Sequence, residues 1–199
     1  MAAHQILAVS KFQSAEKIVE LYNQGYRHFA ENYVQEALEK IEALKHLDIT
    51  WHFIGTLQKN KIKFLQKNFE YIHSIENVDQ VKVLNEKCEK LGFVQKIFLQ
   101  VNLSDENSKS GWNEKDLTMN WTKLAEFHSV KVVGLMTMPP LENEPEKNRI
   151  YFRQLAQLAK NLKLSELSMG TSHDYKIALE EGATWVRLGT ALFGERTKK

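Results

Sequence analysis

The sequence predicts an α/β barrel of the TIM type, (β/α)8, as a single domain over residues 1–199. Three observations predict it. Short apolar, β-branched runs recur eight times along the chain. Segments with three-to-four-residue apolar spacing lie between them, which argues for parallel strands with helices outside. The first run is followed by Ser10, Lys11, Phe12 and Gln13, with no glycine. An open doubly wound sheet of the dinucleotide-binding kind would want G-x-G-x-x-G there, and such sheets usually have fewer strands. Eight parallel strands close on themselves instead.

The first strand is read at 6–11. Ser14 stands where the next helix needs a cap, Ile18, Leu21 and Tyr22 form its core stripe, and Gly25 stands where it ends. The second strand, 28–31, precedes a helix striped by Val34, Leu38, Ile41 and Leu44. The third is read at 51–55 and the fourth at 71–75. Asn77 is placed to cap a helix carrying Val81, Leu84 and Cys88, which Gly92 closes. The fifth strand is 96–102, followed by a polar loop at 104–111 and a helix with Leu117, Trp121 and Leu124. The sixth is 131–138. All three prolines of the chain follow it, between Pro139 and Pro145, and then a helix striped by Phe152, Leu155, Leu158 and Leu162. The seventh strand is 166–170. Ser172 is a candidate cap for the helix of Ile177, Ala178 and Glu181, closed by Gly182. The eighth strand, 185–194, leaves only residues 195–199 behind it. Seven outer helices are therefore expected for eight strands, with an apolar seam between strands eight and one.

Composition excludes several function classes. The 27 basic and 25 acidic residues give a net charge of +2, too even for a nucleic-acid or anionic-membrane footprint. Lys198 and Lys199 alone make no polybasic patch. The lone Cys88 permits no internal disulfide, and no C-x-x-C zinc pattern exists, so a reduced, cytoplasmic setting fits. The apolar stretch at 6–9 is too short for a signal-peptide core, and no window reaches the length of a membrane span. The histidines show no metal-ligand spacing.

Barrel active sites sit at the C-terminal ends of the strands, and that rule picks the candidates. Lys11 ends the first strand. Period-two alternation puts Leu7, Val9 and Lys11 on one face, toward the barrel interior. A desolvated lysine there is nucleophilic toward carbonyls, whereas a lysine that snorkels to water is the plainer reading. Arg187 lies inside the eighth strand. It pairs with a nearby carboxylate, or it donates to a ring nitrogen or a phosphate. Ser172, Gly189 and Thr190 follow strands seven and eight, where barrels often bind phosphate with hydroxyls and free backbone N–H groups. Asn32, after strand two, is a candidate pocket residue. His52 reads as a satisfied barrel histidine.

These residues sit in seven motifs: LAVSK at 7–11, FAENYVQE at 29–36, WHFIGTLQKNK at 51–61, NLSDENSKSG at 102–111, GLMTM at 134–138, LSMG at 167–170 and VRLGTALFG at 186–194. Together, over nearly the whole chain, they resemble the pyridoxal phosphate homeostasis protein family. The resemblance implies a fold like the N-terminal barrel of alanine racemase and a pyridoxal 5′-phosphate (PLP) cofactor held as a Schiff base on Lys11. It also implies a phosphate cradle of Ser172, Gly189 and Thr190, with Arg187 facing the pyridine nitrogen and Asn32 in the pocket. The chain departs from the family in three places. The helix that usually precedes strand one is absent, which matches the missing eighth outer helix. Gln13 stands where the family often has a second lysine, and Thr171 where it often has Met.

Always charged, Arg187 would disfavour protonation of the ring nitrogen and make the cofactor a weak electron sink. That suits intracellular PLP homeostasis without substantial turnover, with PLP-dependent apo-enzymes as possible recipients and no residue assigned a catalytic role. The expected state is a monomer, and a dimer would form through the uncovered seam. Two rival readings are a PLP-dependent racemase of low activity, which needs acid/base groups on both faces of its substrate, and a Schiff-base aldolase that uses no PLP.

Overall fold

The computed structural model describes residues 5–65, 67–104, 110–140 and 144–194. Eight parallel strands close into a barrel in chain order: β1 (Gln5–Val9), β2 (His28–Glu31), β3 (Thr50–Phe53), β4 (Tyr71–Ile75), β5 (Gln95–Gln100), β6 (Val130–Met136), β7 (Glu166–Thr171) and β8 (Trp185–Leu188). The expected fold class is the observed one. Closure places Ile6 beside Val186 and Leu7 beside Arg187.

Outside lie α1 (Ala15–Asn23), α2 (Val34–Ala43), α3 (Val78–Leu91), α4 (Glu114–Leu124), α5 (Arg149–Asn161), α6 (Tyr175–Glu180) and α7 (Thr190–Phe193). Each of the six apolar stripes read from the sequence falls on one of the first six. The start of α3 shows why: the Asn77 side chain accepts the Gln80 N–H at 3.0 Å, and Gly92 turns left-handed (φ +67°) to end the helix.

Alternation along the strands separates two cores. Leu7 and Val9 join Ala30, Phe98, Met136 and Trp185 inside the barrel. Ala8, on the other face, joins Ile18, Leu21 and Phe29 between strands and helices. Each large side chain fully buried in that outer layer contributes about 1.5–3 kcal/mol.

Several boundaries differ from the sequence expectation. Lys11 does not end a strand. β1 stops at Val9, and Lys11 sits in the turn that follows, where Phe12 adopts φ +62°. The eighth strand ends at Leu188 rather than 194, because Ala191, Leu192 and Phe193 wind into the short α7. β5 and β6 also start one residue earlier and end two residues earlier than expected. After β3 the crossover is a 3₁₀ segment, Lys59–Phe64, which explains the absence of a helical stripe there.

The seam between β8 and β1 is not bare. Ala8, Val186 and Leu188 are buried, and α7 packs Leu192 and Phe193 against the same core. The tail at 195–199 and most of the polar loop at 104–111 lie outside the described residues.

Candidate functional site

One cavity of about 500 Å³ opens at the C-terminal ends of the strands. It brings together all six residues singled out in the sequence: Lys11, Asn32, Ser172, Arg187, Gly189 and Thr190. Ile54, Met136 and Met138 supply apolar wall, and Thr171 and His173 add polar edge. None of these last five was singled out as a site residue, although Met136 and Met138 belong to the GLMTM motif. The described lining carries two cations, Lys11 and Arg187, and no carboxylate. Such a cavity suits an anion.

Arg187 projects from β8 into the barrel and is 4% exposed. One terminal nitrogen donates to the Ser168 carbonyl at 2.7 Å and to Ser168 Oγ at 2.9 Å, and the other donates to the Thr137 carbonyl at 2.9 Å. Among the described residues it forms no ion pair, so the carboxylate-partner reading is not what the structure shows. Burial lowers its pKa to about 10, opposed by the charge of Asp174, and the guanidinium stays charged at neutral pH. A guanidinium with spare donors is thereby anchored at the cavity wall.

Ser168 connects that guanidinium to a chain of rings through the barrel. Its Oγ lies 2.9 Å from His73 Nδ1, His73 Nε2 lies 3.0 Å from His52 Nδ1, and His52 Nε2 lies 3.1 Å from His28 Nδ1. Arg187 can only donate, so Ser168 Oγ accepts from it. The chain of ring nitrogens ends at half-buried His28 at the start of β2, and the ring tautomers set which nitrogen donates at each step. Burial holds His52 and His73 well below the ordinary imidazole value, helped by their charged and imidazole neighbours, and they are neutral. His52 is a satisfied barrel histidine, as the sequence suggested. Among the described residues no cluster suits a metal ion.

Ser172 does not cap α6. Asp174 takes the N-cap position, and its Oδ1 accepts the Thr171 N–H at 2.7 Å. Ser172 Oγ instead accepts the N–H groups of Gly189 (3.1 Å) and Ala191 (3.2 Å) across the cavity edge. Neither bond uses its own proton, and Ser172 lines the cavity. The residues after β7 and β8 thus form one polar rim, as a phosphate cradle requires.

Asn32 closes the opposite wall. Its Oδ1 is buried and has no hydrogen-bond partner. A buried acceptor without a donor costs about 1–3 kcal/mol, which a ligand hydroxyl or N–H at this place would relieve. Gly55 permits the arrangement, since a Cβ there would meet the Asn32 carbonyl oxygen at 1.9 Å. Gly55→Ala is therefore expected to displace Asn32 and to destabilise the fold by about 2 kcal/mol, in the range of overpacking. Urea denaturation of the variant checks it.

The alanine racemase N-terminal domain family model matches residues 1–197. The pyridoxal phosphate homeostasis protein of Aquifex aeolicus is 44% identical, over 96% of this chain and 87% of its own. That of Escherichia coli K12 is 38% identical, over 96% and 85%. PipY of Synechococcus elongatus, solved with PLP bound, superposes with a TM-score of 0.91 at 39% identity, over 96% of this chain and 92% of its own. Alanine racemase of Clostridium difficile shares the fold alone, with a TM-score of 0.77 at 13% identity.

Proposed function

The chain belongs to the pyridoxal phosphate homeostasis protein family, built on the alanine racemase N-terminal barrel, and from that premise we propose that it binds PLP in this cavity, as a single domain, with Lys11 as the covalent anchor. The observation that carries the reading is the convergence of all six residues on one cavity, with Lys11 and Arg187 in its wall and no carboxylate among its described lining residues. The cofactor supplies an aldehyde that condenses with a primary amine, releasing water. The chain's own residues do the rest. Ser172 and Thr190 would donate hydroxyls to the phosphate, and Gly189, whose N–H is held by Ser172 Oγ, lines the rim beside them. Arg187 donates toward the pyridine nitrogen, which favours its unprotonated form. Asn32 Oδ1, buried without a partner, would accept from a donor on the bound ligand.

The role that fits is intracellular PLP homeostasis without substantial turnover, with PLP-dependent apo-enzymes as recipients. Racemisation needs a second acid/base group facing Lys11. No tyrosine or cysteine occurs among the described lining residues. Cys88 is buried on α3, where burial pushes its thiol up to about 11. No described helix is long and apolar enough to cross a membrane.

The test is an absorbance spectrum of the purified protein with PLP, before and after borohydride, followed by peptide mapping. A band that reduces onto Lys11 supports the reading. No band in folded protein refutes PLP attachment, and a borohydride-trapped carbonyl substrate without a chromophore would favour the aldolase. Thr190→Val is expected to weaken PLP binding by about 1.5–3 kcal/mol, the loss of one hydrogen bond to a charged acceptor. Equilibrium titration measures it, and an unchanged dissociation constant would move the cradle elsewhere.

A further inference from the structure

The turn that presents Lys11 is held from outside the barrel by two side chains of α2. Lys40 is 7% exposed and directs its ammonium at three oxygens: the Ser10 carbonyl (2.7 Å), Glu31 Oε1 (2.7 Å) and Glu36 Oε1 (2.6 Å). Three N–H donors meet three acceptors, which saturates the ammonium. Glu36 Oε1 also accepts the Phe12 N–H at 2.6 Å. Ser10 Oγ donates to Glu31 Oε1 at 2.6 Å. The residues immediately before and after Lys11 are therefore both tied to the same charged cluster.

That cluster opposes a conformational cost. Phe12 has φ +62°, a left-handed conformation that costs roughly 1–2 kcal/mol for a side chain with a Cβ. Its ring is 61% exposed, so burial contributes little to holding the turn. The charge-assisted bond from Phe12 N–H to Glu36 does hold it, and such bonds are about twice as strong as neutral ones. At an ordinary helix surface, Glu36 and Lys40 would be a solvated i,i+4 pair of small effect. Here the pair faces inward onto Ser10 and buried Glu31.

We propose that Glu36 and Lys40 are positioning residues for Lys11, holding its backbone so that the amine is aimed into the cavity before any ligand arrives. The proposal rests on Lys11 being the attachment residue. Preorganisation of this kind acts on bond formation at the amine and leaves the phosphate rim, in the segments after β7 and β8, untouched.

The experiment compares two ligands. PLP attachment is followed as a borohydride-trapping time course, and pyridoxine 5′-phosphate, which has an alcohol in place of the aldehyde, is titrated by calorimetry. Glu36→Ala is expected to slow attachment roughly tenfold, from the lost hydrogen bond to a charged group, with pyridoxine 5′-phosphate affinity unchanged. Glu36→Gln, whose amide oxygen can still accept from Phe12, is expected to recover most of the rate. Because Lys40→Met alone would strand Glu31, the Lys40→Met/Glu31→Gln double variant is the second arm, with the same expected split. Wild-type rates in both Glu36→Ala and the double variant overturn the proposal, as does an equal loss of affinity for both ligands. Failure of the wild-type protein to attach PLP at Lys11 would instead refute the function on which it rests.

Discussion

Lys11→Ala is expected to abolish borohydride-reducible attachment of PLP altogether, while the protein still takes up phosphorylated pyridine ligands non-covalently. The loss is complete because the variant removes the amine itself, and no weaker nucleophile stands in its place. Retention of the phosphate follows from geometry. Ser172, Gly189 and Thr190 belong to the segments after β7 and β8, and their hydrogen bonds do not pass through the Lys11 turn. Alanine fits the turn, since Lys11 is only half-buried and its neighbours are held through backbone groups and Ser10 Oγ. Mass spectrometry after reduction decides the matter. A reduced adduct on another residue, such as Lys61 in the adjoining cavity that also includes Asn32, would show that Lys11 is not the anchor.

The second large effect is acid sensitivity. His52 and His73 are fully buried and their imidazoles are held neutral, chiefly by burial. In the unfolded chain each titrates near 6.5. Below that pH the unfolded state binds protons that the folded state refuses, so stability falls as pH drops through 6.5 and goes on falling until the folded values are reached. Two such groups cost up to about 4 kcal/mol between pH 7 and pH 5, the limit reached when both folded imidazoles stay neutral throughout, at about 1.4 kcal/mol per group per pH unit. That is a large part of a domain's usual stability. Burial raises Glu31 and Glu76, which act in the opposite sense and offset some of the loss. Urea denaturation at the two pH values measures the slope. The His52→Gln/His73→Gln variant keeps hydrogen-bonding groups without the titration and is expected to lose most of the acid sensitivity. An unchanged slope in that variant would place the acid-sensitive groups elsewhere.

Much of the site was legible because a barrel strand ends where chemistry is done. Period two placed Leu7 and Val9 inside, and the strand-end rule selected Lys11, Arg187, Gly189 and Thr190. What escaped depends on register. His28, His52 and His73 lie on alternating positions of neighbouring strands, so alternation alone could have put them inside, but only strand pairing shows that their nitrogens meet. Ser172 looked like a cap because serine before a helix often is one. The competing acceptor, Asp174, lies two residues on, and the partner amides of Ser172 come from the start of α7. Glu36 and Lys40 stand at the i,i+4 spacing of an ordinary surface pair, and helical spacing is all that a sequence records about them. The eighth strand ran too far because Ala191, Leu192 and Phe193 are apolar in either a strand or a helical turn.

Lys11 and Thr190 come from the opposite ends of the described chain, and the pairing of Leu7 with Arg187 joins them. On a ribosome, Lys11 emerges long before Arg187, Gly189 and Thr190, with which it lines the cavity. A nascent chain lacking its last strand has the amine and Ser172 but not Arg187, Gly189 or Thr190, so it has no assembled pocket. Contacts so distant in sequence form late and slowly, and PLP capture would then report completed barrel closure. A chain interrupted by proteolysis before β8 would lose the vitamin pocket as a unit, however well its earlier helices and strands had formed.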